Sequence, residues 1–354
     1  MNLPSSRISW LDNIRIFACI LVIASHIVGQ FFVSPPFTPD NETFAWSSFY
    51  TVLVRVSIPL FFMISGALLL PVRDTTGQFL KKRFTRVLFP FLLWSAFYTV
   101  FPWSYETLTG DSFHSVFPLS RVTPDLETMG TNLLLIPLKF SVGIHLWYLY
   151  VLMGLYLFLL LWTLTLLFPY FQTIFPSYLG KCPWNEYGAL HSFSGYLGYM
   201  VLGCFLRKYS GNASFARTAC WAVPCLAAAF WFTLHFYRTS TAQARSSSGD
   251  YIGFASINVA LMSLAVFVLF QSLPAFRAGS APQRLLADFS SMSFGIYLVH
   301  FVLVGAVYRL FGMLHLLFLP ASLSIPLLTA ATCLAAWGII KLLSFLPGSR
   351  YLIG

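Results

Sequence analysis

Charge is what this sequence has least of. Only 9% of its 354 residues are Asp, Glu, Lys or Arg, against about 25% in an ordinary soluble domain. A chain so poor in charge cannot cover a folded surface with groups that water solvates, which excludes a water-soluble globule. Paired cysteines are missing as well. Cys19, Cys182, Cys204, Cys220, Cys225 and Cys333 lie mostly within apolar runs, and none forms a C-x-x-C pair. That pattern argues against a metal or redox site and for small packing residues. No internal repeat is evident, and no separate soluble domain fits between the apolar runs. Acids are scarcer than bases, 11 against 21, for a net charge of +10. The excess does not call for a nucleic-acid partner, because Lys and Arg accumulate in the cytoplasmic loops of membrane proteins.

What the sequence has in abundance is apolar length: 58% of it is hydrophobic, and runs near the ~20 residues needed to cross a bilayer recur from end to end. They predict an all-α, polytopic transmembrane helical bundle of about ten spans, a single integral membrane domain over residues 1–354. The first run, from about Ile14 to Val33, carries Asp12 and Arg15 at its start and lacks a small-residue cleavage site. It is therefore expected to be retained rather than removed as a signal peptide. Further spans are expected near 49–70, 87–103, 193–206, 215–236, 253–273, 289–311 and 322–346. The uncharged stretch 146–179 is too long for one upright helix at about 1.5 Å per residue, and two short spans are favoured there. The basic cluster Arg73, Lys81, Lys82, Arg83 and Arg86 orients the second and third spans with that end in the cytoplasm. A multi-pass protein of the cell inner membrane, in contact with membrane lipids, is the expected setting.

Ionisable groups inside a bilayer cost about 2.5–3.5 kcal/mol each on insertion scales, so those that persist are functional candidates. Asp12 and Arg15 stand three residues apart and share a helical face, where they can pair. His26 follows Arg15 by eleven residues, nearly three full turns, so it points to the same side about 16 Å deeper. Either it packs as a satisfied core imidazole or it takes a proton from a substrate near neutral pH. Arg83 and Arg86, in KKRFTR, face one way if helical and suit a phosphate clamp. Ordinary cytoplasmic topology and anionic-lipid contact explain them too. Arg55, in RVSIPLFFMISG, needs a partner or a wet cavity inside its span, and Gly66, after Ser65, permits close helix contact. In HLWYLY, His145 and Trp147 open a span whose aromatics suit an interfacial belt or a sugar face. His300, in SFGIYLVH, lies within a late span.

These segments, taken in order, resemble the acyltransferase-3 family of integral membrane acyltransferases. The resemblance runs through WLDNIRIFACILVIASHI, SIPLFFMISGALLL, KKRFTRVLFPFLLWSAFY, HLWYLYVLMGLYL, SGYLGYMVLGCFLRK and FSSMSFGIYLVH. Within the family, the opening segment looks closest to the enterobacterial common antigen O-acetyltransferases. The resemblance implies cytoplasmic acetyl-CoA as donor, a hydroxyl of a cell-surface or lipid-linked glycan as acceptor, and no metal. It implies His26, with Asp12 and Arg15, as the catalytic group and Arg83 and Arg86 as the donor-binding pair. Arg55, Ser65, His145, Trp147 and His300 are expected to line the substrate path. Relatives carry a polar connector after the HLWYLY segment. Here the apolar run continues through LFLLLWTLTLLFPYF. A glycan or lipid-linked sugar flippase would use the same inward polar groups, and a transferase of another acyl group, such as succinyl, fits the same residues.

Overall fold

A computed structural model describes residues 9–33, 42–71, 76–116, 125–134, 145–158, 189–210, 213–242, 252–254, 256–274, 276, 279–314, 316 and 319–354. Among these residues the chain is helical with no strand. The elements are α1 (Ser9–Val33), α2 (Glu42–Val54), α3 (Ser57–Leu69), α4 (Thr76–Thr109), α5 (Phe113–Val116), α6 (Leu126–Leu134) and α7 (Trp147–Phe158). They continue with α8 (Ala189–Tyr209), α9 (Phe215–Ala242), α10 (Ile257–Ser272), α11 (Ala281–Met313), α12 (Ala321–Leu343) and α13 (Ser349–Ile353). Among the described residues, six stretches are long and apolar enough to cross a membrane: α1, α2 with α3, α4, α9, α11 and α12. Helices α7 and α10 are apolar but shorter. The two short spans expected within 146–179 fall largely on residues 159–188, outside the described residues, as does Cys182.

Several helices run past the apolar core that marks them in the sequence. Helix α4 begins at Thr76 rather than near Val87, so the whole KKRFTR cluster is helical. Helix α11 begins at Ala281 rather than near Phe289. Its start is capped: Ser280 Oγ accepts from the Gln283 amide, and the Gln283 side chain accepts from the Gly279 amide at 2.6 Å. Ser-x-x-Gln is a helix-start signal that hydropathy alone does not weigh.

The second expected span is two helices. Residues 55 and 56 form a turn between α2 and α3, and Pro59 explains it. Proline has no N–H to give the Arg55 carbonyl, and its ring crowds that carbonyl, so the helix must break upstream. A similar vacancy is filled in α12. Pro326 leaves the Ser322 carbonyl without its helical donor, and the Tyr50 hydroxyl of α2 donates to it at 3.0 Å.

The helices cluster into two compact units. The first comprises Met1–Leu68 and Met200–Lys341, the second Leu69–Tyr199 and Leu342–Gly354. In the first, α1 and α11 pack side by side and run parallel, residue 12 meeting 290 and residue 31 meeting 308. This parallel course agrees with both helices starting on the same side. Ile14, Ala18, Ile23 and Ile27 of α1 and Ile296 and Leu298 of α11 have no exposed surface. The first turns of α11 are tied to the end of α12, where Asp288 accepts from Lys341 Nζ at 2.6 Å and from Trp337 Nε1 at 3.3 Å.

The close contact expected at Gly66 is present and reciprocal. A Cβ on Gly66 of α3 would overlap the backbone of Met200 in α8, and one on Gly203 would overlap the backbone of Met63. Two backbones meet here with no side chain between them, the usual role of small residues where lipid supplies no hydrophobic drive. The Arg207 guanidinium donates to the Ala67 carbonyl near the end of α3, answering carbonyls that the helix end leaves open.

In the second unit α4 is the central helix. The α13 segment packs on it, with Trp94 Nε1 donating to the Leu352 carbonyl at 2.9 Å and Tyr351 edge-on to Phe89. Glu106 accepts from the Phe113 amide at 2.7 Å and fixes the start of α5.

Candidate active site

The face of α1 that meets α11 carries residues 12, 15, 19, 22 and 26, spaced three and four apart. The matching face of α11 carries 290, 293, 297 and 300, spaced the same way. This spacing keeps one stripe of each helix in contact along its length. The stripes hold polar groups at three levels.

At the first level, Ser290 Oγ donates to Asp12 Oδ1 at 2.6 Å and accepts from Arg15 Nη1 at 3.2 Å. Arg15 and Asp12 also pair directly at 3.7 Å. Asp12 is only 7% exposed, so it is a buried carboxylate held by a cation and a hydroxyl together, the arrangement such a group needs. At the second level, Cys19 Sγ lies 3.8 Å from the Ser293 carbonyl, within reach of a weak S–H donation.

At the third level, the rings of His26 and His300 lie 5.2 Å apart and tilted by 45°. Phe301 meets His26 edge-on at 5.3 Å. His300 is fully buried, whereas His26 is half-buried. The His300 Nδ1 lies 2.6 Å from the Tyr297 carbonyl. A carbonyl only accepts, so Nδ1 carries the proton, and the neutral ring keeps Nε2 as an acceptor. The pair thus consists of one imidazole locked by its own helix and a second, more accessible one resting against it. An imidazole so placed can accept a proton from a hydroxyl.

The second unit holds the basic pair. Arg83 and Arg86 lie one turn apart on α4, Arg83 half-buried and Arg86 exposed. The Arg83 guanidinium sits over the Phe79 ring at 6.0 Å, and Phe79 meets the buried Tyr156 of α7 edge-on at 5.9 Å. Aromatic support under a guanidinium leaves its N–H edge available to an anion.

A family model described as an acyltransferase domain matches residues 8–341. The chain belongs to the acyltransferase-3 family. No curated protein and no solved structure matches it; kinship to the enterobacterial common antigen enzymes in particular therefore stays an expectation.

In this membrane acyltransferase the expected site residues divide between the two units. Asp12, Arg15, His26, Arg55, Ser65 and His300 belong to the first, and Arg83, Arg86, His145 and Trp147 to the second. The α1–α11 stripe brings together Asp12, Arg15, His26 and His300. Arg55 lies in the α2–α3 turn, its Cζ 5.3 Å from the Phe254 ring centroid. The Ser65 hydroxyl donates to the Phe61 carbonyl of its own helix at 2.9 Å. His145 is buried and meets Tyr98 edge-on at 4.8 Å. Trp147 lies 5.7 Å from Tyr196.

Sequence reasoning missed Ser290, Ser293, Tyr297 and Tyr156. The three-four spacing that leads from Ser290 to His300 was the available signal for the first three. Among the described residues, no group of three His, Cys, Asp or Glu side chains gathers in a way that could hold a metal ion. Cys19 and Cys333 pack in the interior, whereas Cys220 is exposed on α9, which departs from the packing role expected for the cysteines.

Proposed function

We propose that this acyltransferase moves an acetyl group from cytoplasmic acetyl-CoA to a hydroxyl of a cell-surface or lipid-linked glycan, across the cell inner membrane. The observation that carries the reading is His26, half-buried against a fully buried and hydrogen-bonded His300 on a family-wide acyltransferase scaffold. Arg83 and Arg86 bind phosphates of the CoA moiety, and the thioester extends inward. His26 takes the proton of the acceptor hydroxyl as its oxygen attacks the thioester carbon. The tetrahedral adduct collapses, the C–S bond breaks, and the CoA thiolate leaves and recovers a proton. The product is an ester and free CoA. His300 fixes the plane of His26, and the Asp12–Arg15–Ser290 cluster anchors α1 at its start. His145 and Trp147 offer a ring surface to the sugar, and Ser65, adjoining the Gly66 crossing, lines the path.

The test is mass spectrometry of surface glycans from cells with the gene, without it, and with His26→Ala. Loss of one acetyl mass in both the deletion and the variant supports the reading. A difference of one succinyl mass would replace the acyl group but keep the chemistry. Unchanged glycan mass, together with acceptor movement across vesicles that consumes no CoA ester, would replace transfer by transport.

A further inference from the structure

Two arginines lie at or beside the seam between α2 and α9. Elsewhere in the first unit, Arg15 meets Asp12 and Lys341 meets Asp288, while Arg207 meets the Ala67 carbonyl and Lys208 the Tyr209 ring. The two guanidiniums at the seam rest on rings. Arg55 lies 5.3 Å from the centroid of Phe254, and Arg238 lies 5.9 Å from that of Phe44. Arg55 also faces Tyr237, the residue before Arg238, and the Tyr237 hydroxyl is in hydrogen-bond reach of Thr51 and Thr241. Both Thr51 and Tyr237 are buried. The Arg55 Nε is buried and has no hydrogen-bond acceptor among the described residues.

A cation within a span costs about 2.5–3.5 kcal/mol on insertion scales. An aromatic ring offsets part of that cost but accepts none of the five guanidinium N–H donors. A site with forked donors, nearby hydroxyls and, among the described residues, no carboxylate partner for Arg55 is complementary to a ligand that brings its own negative oxygens. The turn at 55–56 places this guanidinium at the interruption of the α2–α3 span, where Pro59 leaves the Arg55 carbonyl without its helical donor.

We propose that Arg55, aided by Arg238, receives an oxyanion carried by the acceptor, so that the acceptor is an acidic or phosphorylated saccharide rather than a neutral one. This rests on the acyl-transfer reading above and names the substrate class for it. The oxyanion is the phosphate of a lipid-linked saccharide or the carboxylate of an acidic sugar, and the test separates the two.

The full-length protein in neutral-lipid nanodiscs is titrated with a long-chain polyprenyl phosphate, the matching neutral polyprenol, inorganic phosphate and glucuronate. One of the anionic probes binds at least about tenfold tighter than its neutral counterpart, the value of one charge-assisted hydrogen bond. Arg55→Met removes that preference, Arg55→Lys restores part of it, and Arg238→Gln weakens it by a smaller factor. Preference for the polyprenyl phosphate assigns a lipid-linked acceptor, and preference for glucuronate assigns an acidic sugar. Equal affinity for charged and neutral probes overturns the proposal, as does Arg55→Met binding like the parent. If Arg55→Met does not fold, Arg55→Lys and Arg238→Gln decide the question by the same readout. Arg55-dependent binding in a protein that transfers no acyl group would remove the enzymatic reading alone. Transfer that persists with Arg55-independent binding would remove this inference alone.

Discussion

The α1–α11 stripe and the opening turns of α4 both carry charge beside apolar spans, and they treat it in opposite ways. On the stripe every level is paired. Asp12 is shared between Arg15 and Ser290, and His300 is bonded within its own helix. On α4 the guanidiniums stand on a helix face, Arg86 exposed and Arg83 supported by a ring. Pairing fixes geometry, which a proton transfer needs, because a group displaced by even about 1 Å loses much of its catalytic value. An exposed cation such as Arg86 suits a ligand that arrives and leaves. Under the proposed function, the paired stripe is the region for chemistry and the basic turns of α4 are the region for docking.

The largest expected effect tests the paired stripe. His26→Ala lowers acyl transfer about 100- to 10,000-fold, the range for removing a general base, while expression and detergent-solubilised monodispersity stay normal. Transfer within a factor of two of the parent would sink the catalytic role. Next, Arg83→Ala with Arg86→Ala raises the apparent KM for acetyl-CoA about tenfold or more and leaves kcat within a few-fold, and added salt narrows the gap. A fall in kcat at unchanged KM would place the pair in the chemical step and dissolve the division between the regions. His300→Phe keeps an aromatic ring but loses the bond to the Tyr297 carbonyl. A loss of about tenfold in kcat, with KM steady, is expected if the ring only orients its neighbour, and an unchanged kcat counts against that role. The smallest effect is on stability. Ser290→Ala strips the bridging hydroxyl from a buried carboxylate and costs about 1–3 kcal/mol. Thermal unfolding in detergent reads it, and an unshifted midpoint would mean the first level of the stripe is not a clasp.

The paired stripe was partly legible in the sequence. The pairing of Asp12 with Arg15 follows from their spacing, and the common face of Arg15 and His26 follows from eleven helical steps. What α1 meets was not legible, because Ser290 and His300 lie some 275 residues away along the chain and nothing local announces which two stripes pack. Serine is also ordinary in a span, so Ser290 drew no notice beside the charged residues. The break at Arg55 was written in Pro59 and overlooked, because a hydropathy window sums across a proline without registering the lost donor. The helical state of KKRFTR was hidden for the opposite reason: a charged turn lowers hydropathy although it continues the helix without strain. Residues 159–188, which hold most of the long apolar run, lie outside the described residues.

The glycine crossing of α3 and α8 has a consequence for how this fold can vary. The chain leaves the first unit after Leu68 and returns at Met200, and Gly66 and Met200 touch backbone to backbone. The outgoing and returning helices are thus cinched together within the first unit. The α3–α8 contact therefore tolerates no side chain at Gly66 or Gly203, however the residues between the two helices vary.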